Sequence, residues 1–83
     1  MEVFLYLLRA VSPVAKYRRA LGEAIRFRRK QAGLSQEKLA EKAELHPVYI
    51  SAVERGVKTI SMDALMRIAK ALNVRVRDLV ENI

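Results

Sequence analysis

Few side chains in this sequence could do covalent or metal chemistry. One of the 83 residues is a histidine, His46, and none is a cysteine. That removes thiolate metal sites, iron–sulfur centres, cysteine nucleophiles and a disulfide framework together, and fits a reducing compartment. No histidine–carboxylate spacing suits a metal, and a lone imidazole is not a metal site. Gly22, Gly33 and Gly56 are the only glycines and lie too far apart to build a phosphate-cradling loop. The expectation is a protein that is not an enzyme and holds no cofactor, metal or small-molecule ligand. What the chain has in excess is positive charge, 16 Lys and Arg against 9 Asp and Glu, or +7 net.

That excess is local. Residues 9–30 hold Arg9, Lys16, Arg18, Arg19, Arg26, Arg28, Arg29 and Lys30 against a single acid, Glu23, while the rest of the chain is neutral in sum. A localised basic block is the electrostatic footprint of a polyanion partner. It is equally what a solvated, arginine-rich helical face looks like. With the apolar stretch Val3 to Val11 beside it, membrane-surface binding is a third reading. That stretch is too short to span a bilayer, which takes about 20 apolar residues, and it lacks the flanks of a signal peptide. The reading is therefore a cytoplasmic protein with no membrane partner.

A chain of this length forms one domain and buries only about 60% of its unfolded surface, so its elements must be short and well capped. Ser12-Pro13 is a helix-start signal, and Val14, Tyr17, Leu21, Ala24 and Ile25 carry one helical face towards Ala32, where Gly33 stops it. Residues 13–32 form either one helix or two joined near Arg18. Ser35 caps a short second helix with Leu39, Ala40 and Ala43 facing inward. Glu44-Leu45-His46 separates it from a third, which opens on Pro47, faces Ile50 and Val53 inward and stops at Gly56. Ser61 caps a fourth helix carrying Leu65, Ile68, Ala69 and Leu72 and ending at Asn73, with Asp63 and Lys70 matched to its dipole. A last helix covers about 76–82. Only residues 3–8 admit a strand.

Two short helices joined by a three-residue turn can cross steeply and present the second to the major groove of B-DNA, about 12 Å wide. Here the sequence resembles the phage-repressor and Cro type helix-turn-helix regulators, the XRE family. The resemblance runs over residues 21–80 and is carried by Gly33-Leu34-Ser35-Gln36, Leu39-Ala40, Ile50-Ser51, Glu54-Arg55-Gly56 and Ile68-Ala69-Lys70-Ala71-Leu72. It implies an all-α, five-helix lambda-repressor-like DNA-binding domain over residues 20–83. Residues 1–19 form an N-terminal extension, helix or strand, that has no counterpart in the family's minimal domain.

The resemblance also distributes roles. Residues 36–43 would position and 47–55 recognise. Base-reading positions fall on Pro47, Val48 and Ala52, with His46, Tyr49 and Ser51 beside them. Pro47 lacks an N–H and Val48 and Ala52 offer only apolar contact, for instance to a thymine methyl, so discrimination would lean on methyl contacts, on arginines outside the helix and on DNA shape. His46 would cap the helix and touch a phosphate or base edge. Tyr49 would either stack into the core or reach a phosphate. Gln36 would brace the recognition helix and bond a phosphate. Arg18, Arg19, Arg26, Lys30, Lys58 and Thr59 are the further phosphate candidates. Arg29 and Glu54 would form a partly buried ion pair. Two positions depart from the pattern: Glu44 where a turn glycine is usual, and Arg28 where a core leucine is common, so that helix 1 is rotated or Arg28 snorkels outward.

The implied function is a transcriptional regulator, a repressor or autoregulator, that binds a pseudo-palindromic double-stranded operator as a homodimer. The competing class is a protein–protein module on the same fold, such as an antitoxin subunit or coactivator. Val76, Leu79, Val80 and Ile83, or the N-terminal segment, would supply the dimer interface.

Overall fold

The computed structural model describes the backbone of residues 2–81 and 83 and the side chains of residues 14–81 and 83. Five helices follow one another: α1 Glu2–Gln31, α2 Gln36–Ala43, α3 Pro47–Glu54, α4 Met62–Leu72 and α5 Val76–Val80. Among the described residues there is no strand. Each helix sends one large side chain to a shared centre. Ile25, Leu39, Ile50, Ile68 and Leu79 are each buried to within about a hundredth of their surface. Burial of one such side chain contributes about 1.5–3 kcal/mol, so each helix is held to the common core.

Four N-termini are closed by side chains, that of α3 by His46. Ser35 Oγ accepts from the Lys38 N–H at 3.0 Å and Ser61 Oγ from the Ala64 N–H at 3.1 Å. At α5 the Asp78 carboxylate accepts from the Arg75 N–H at 2.9 Å. The other ends of α1 to α4 share one geometry. In α2 the Leu45 N–H donates to the Ala40 carbonyl at 2.9 Å while the Glu44 N–H donates to Glu41. The same paired bonds close α1 at Gly33, α3 at Gly56 and α4 at Asn73. The motif demands a left-handed residue, with φ of +72° at Gly33, +74° at Gly56, +57° at Asn73 and +56° at Glu44. Glycine takes that conformation freely and asparagine tolerates it, whereas glutamate is strained by about 1 kcal/mol. Glu44→Gly is expected to stabilise the fold by about that amount and to raise Tm by about 4–8 °C, read from thermal melts. A lower Tm would show that the Glu44 side chain contributes more than its strain costs.

Two sequence expectations are corrected at α1, and one open alternative is decided. Residues 3–8, readable as helix or strand, lie in helix, since a short apolar run has no period that separates the two states. The helix does not start at Ser12-Pro13 but passes through it. Proline's fixed φ is itself helical, and what it forfeits is one backbone hydrogen bond. Val14 and Tyr17 are 48% and 52% exposed, so the inward stripe begins only at Leu21. From there Gly22, Ile25 and Arg29 are buried against the other helices. Arg28 is half-buried and Phe27 exposed, and both line a hollow between α1 and α5.

At the far end α5 stops at Val80, short of the expected reach, and Leu79 is a core residue rather than a surface one. Of the four apolar residues named there, Val80 and Ile83 are the exposed ones. The side chains of Val3 to Val11, the other interface candidate, lie outside the described residues.

Candidate nucleic-acid interface

The turn Glu44-Leu45-His46 carries the chain from α2 to α3. Leu45 packs against the core and fixes the turn's inner side. His46 stands at the N-cap of α3, its Nδ1 accepting from the Val48 N–H at 3.1 Å. Pro47 occupies the first helical position, where a missing N–H forfeits nothing.

With eight residues, α3 presents two faces. Ile50, Val53 and Glu54 are buried. Outward stand Val48, 67% exposed, and the half-buried Pro47, Ser51 and Ala52. Tyr49 resolves the choice between core and surface by doing part of each. Its ring packs against the core, and its hydroxyl accepts from the Ser61 N–H at 3.2 Å, at the cap of α4. The Lys58 ammonium lies 5.5 Å from the centre of that ring, within cation–π reach.

Behind α3 sits a charged clamp. Arg29 Nε donates to Glu54 Oε2 at 2.6 Å and a second guanidinium nitrogen to Glu54 Oε1 at 3.0 Å, a two-pronged pair. The remaining guanidinium nitrogen donates to the Leu34 carbonyl at 2.8 Å. Gln36 Nε2 donates to the same Glu54 Oε1 at 3.0 Å. The hydrogen bond that Arg29 donates to Glu54, aided by the carboxylate's charge, raises the Arg29 pKa against the opposing effect of burial. The clamp therefore keeps its cation throughout the physiological range. It joins α1, the α1–α2 turn, α2 and α3, and so fixes the angle at which α3 leaves the domain.

The other basic candidates divide. Arg18, Lys58 and Thr59 come together beside a hollow that also takes Tyr17, Leu21 and Ile60. Arg18 donates to Thr59 Oγ1 at 3.3 Å, and its buried Nε has no partner among the described residues. Arg19, Arg26 and Lys30 are exposed on α1 and enter no ion pair among the described residues. Among those residues no cluster of His, Asp or Glu could hold a metal, and no helix is long and apolar enough to cross a membrane.

Two residues of this region escape a reading from sequence. Arg55, exposed at the end of α3, donates to the Ser51 carbonyl at 3.4 Å and adds a cation next to the outward face. Gly22 lies where α1 meets the end of α3, with no room for a side chain. A Cβ there would sit 2.7 Å from the Glu54 carbonyl oxygen and closer still to that of Val53. The available signal was a glycine inside a helical pattern, a position that costs about 1 kcal/mol relative to alanine and so asks for a packing reason.

Comparison with known proteins agrees with this geometry. The chain is 43% identical over 61 residues to the control protein C.BamHI of Bacillus amyloliquefaciens, covering 72% of this chain and 75% of that one. It is 45% identical over 56 residues to the control protein C.SmaI of Serratia marcescens, covering 68% and 67%. The crystal structure of the restriction-modification controller protein C.AhdI from Aeromonas hydrophila is similar, with a TM-score of 0.74 at 35% identity over 75% of this chain and 94% of that one. The family model described as helix-turn-helix matches residues 25–79, which takes in α2, the turn, α3 and α4, and the chain belongs to that family.

Proposed function

We propose that this chain is a sequence-specific regulator of transcription that binds double-stranded DNA as a homodimer, with α3 in the major groove. The observation that carries the reading is the posture of α3: one face sunk in the core, the other turned outward with Val48 exposed, and the helix clamped from behind by Arg29, Glu54 and Gln36. A helix held in this way enters a groove without first having to be ordered. Membership of the helix-turn-helix family and likeness to control proteins support the same conclusion.

In this reading His46, Pro47, Val48, Tyr49, Ser51 and Ala52 face the base edges. Arg18, Arg19, Arg26, Lys30, Lys58 and Thr59 meet phosphates, and Gln36 joins them while bracing Glu54. The cations supply most of the affinity by releasing counterions, and α3 sets register and preference. Residues 1–19 extend a domain that occupies 20–83. Two copies set their recognition helices about 34 Å apart on a pseudo-palindrome. Control then follows protein concentration in the cytoplasm, with no catalysis, cofactor or small ligand.

Selection of bound duplexes from a randomised double-stranded pool at about 0.15 M salt tests the proposal. The expected result is a two-fold-related motif with half-sites about one helical turn apart. Binding without enrichment of any motif would overturn it.

A further inference from the structure

We infer that Val48 and the hollow beside it read the C5-methyl group of a thymine, so that one thymine per half-site is recognised by apolar contact rather than by hydrogen bonding. The inference rests on the DNA-binding reading above. It follows from what the outward face of α3 lacks. Ser51 and the second ring nitrogen of His46 can hydrogen-bond, but Pro47, Val48 and Ala52 have no side-chain donor or acceptor, and the Nδ1 of His46 is already engaged by the Val48 N–H. In the major groove every base pair displays donors and acceptors, and a single apolar group exists there, the thymine methyl. Val48 is 67% exposed and so meets the groove with carbon alone.

The surface around Val48 is open and apolar enough to take such a group. Val48, Tyr49 and Ala52, with His46 and Lys58 at the edge, line a shallow hollow whose walls are mostly carbon. Ala52 follows Val48 by one helical turn, and its small side chain leaves the gap open. The far wall is the Tyr49 ring, which packs against the core and whose hydroxyl accepts from the Ser61 N–H at 3.2 Å. Lys58 lies over that ring and places a cation at the rim, suited to a backbone phosphate next to a seated base. The hollow thus exists before DNA arrives, and a methyl group entering it leaves water with little rearrangement of the protein.

The test uses the full chain and a duplex enriched in the selection described above. Each thymine is replaced singly by deoxyuridine, symmetrically in both half-sites, and binding is followed by fluorescence anisotropy at fixed salt. Deoxyuridine keeps every hydrogen-bonding group and removes only the methyl. At one thymine per half-site the wild-type chain is expected to lose about four-fold in affinity per half-site, the equivalent of one buried methyl. Val48→Ala, checked for an unchanged melting temperature, is expected to bind the thymine and deoxyuridine duplexes equally at that position. If no deoxyuridine weakens binding to an enriched duplex, the methyl reading falls while the regulator reading stands. If Val48→Ala retains the full difference, the methyl is sensed elsewhere and the assignment to Val48 is overturned. If no motif is enriched at all, both readings fall together.

Discussion

Glu54→Ala is expected to remove about 3–5 kcal/mol of folding stability, the loss typical when one partner of a buried ion pair is deleted. Both side chains are about nine-tenths or more buried, and the two parallel bonds at 2.6 and 3.0 Å leave no room for water between them. Truncation strands the Arg29 guanidinium with one remaining bond, to the Leu34 carbonyl, and leaves the Gln36 amide without its acceptor. Domains of this size are stable by only about 5–15 kcal/mol, so a large share of the total disappears and Tm falls by well over 10 °C. The damage comes from the stranded charge rather than from the loss of a favourable pair. Replacing Arg29 and Glu54 together with apolar residues of similar volume is therefore expected to cost much less than Glu54→Ala alone. Urea denaturation of the two variants decides the matter. A single variant within 1 kcal/mol of wild type, or a double variant no better than the single, would show that the clamp is not what holds α3.

What was legible in the sequence was local. Ser35, His46 and Ser61 announce helix starts because capping is a contact between near neighbours. Gly33 and Gly56 announce helix ends because the left-handed turn is made by one residue. Leu39, Ile50 and Ile68 reveal the buried faces because their spacing follows the helical period. Other features depend on residues far apart in the chain. The spacing of Val14 and Tyr17 with Leu21 is correct for a helical face, but the other helices reach α1 only from Leu21 onward, so the first two stay exposed. Arg18 and Thr59 are 41 positions apart, and nothing near either one announces their hydrogen bond. Pro13 reads as a start because the local rule for proline is strong, yet it lies within α1. On α3 the period tells inside from outside. The hollow beside Val48 needs Lys58 from the following loop and a Tyr49 ring pinned from the cap of α4, and so belongs to the assembled fold.

At Gly22 a single added methyl group is expected to destabilise the fold. By helix propensity alone, Gly22→Ala in the middle of α1 would stabilise the fold by about 1 kcal/mol. The structure reverses that sign. An alanine Cβ would sit 2.7 Å from the Glu54 carbonyl oxygen and 2.9 Å from the Glu54 carbonyl carbon, and nearer still to the Val53 oxygen. These are backbone atoms closing the last turn of α3, and no rotamer moves them aside. Relief requires α1 and α3 to separate, and the same two helices carry the Arg29–Glu54 pair and the packing of Ile25 with Ile50 and Val53. Overpacking of this kind costs about 1–3 kcal/mol for added methyl or methylene groups. Gly22→Ala is expected to lose about 2 kcal/mol despite its better propensity, and Gly22→Val more. Gly33→Ala is the internal control, because no atom lies within 4 Å of its added Cβ and only the strain of φ +72° opposes it. That variant is expected to lose about 1 kcal/mol. The three variants are ranked by urea denaturation, with operator binding measured under conditions where each is folded. Because α3 itself is pushed outward, Gly22→Ala is expected to weaken operator binding while Gly33→Ala leaves it unchanged. A Gly22→Ala protein as stable as wild type would mean that the two helices part freely, and that close packing at Gly22 does not set the position of α3.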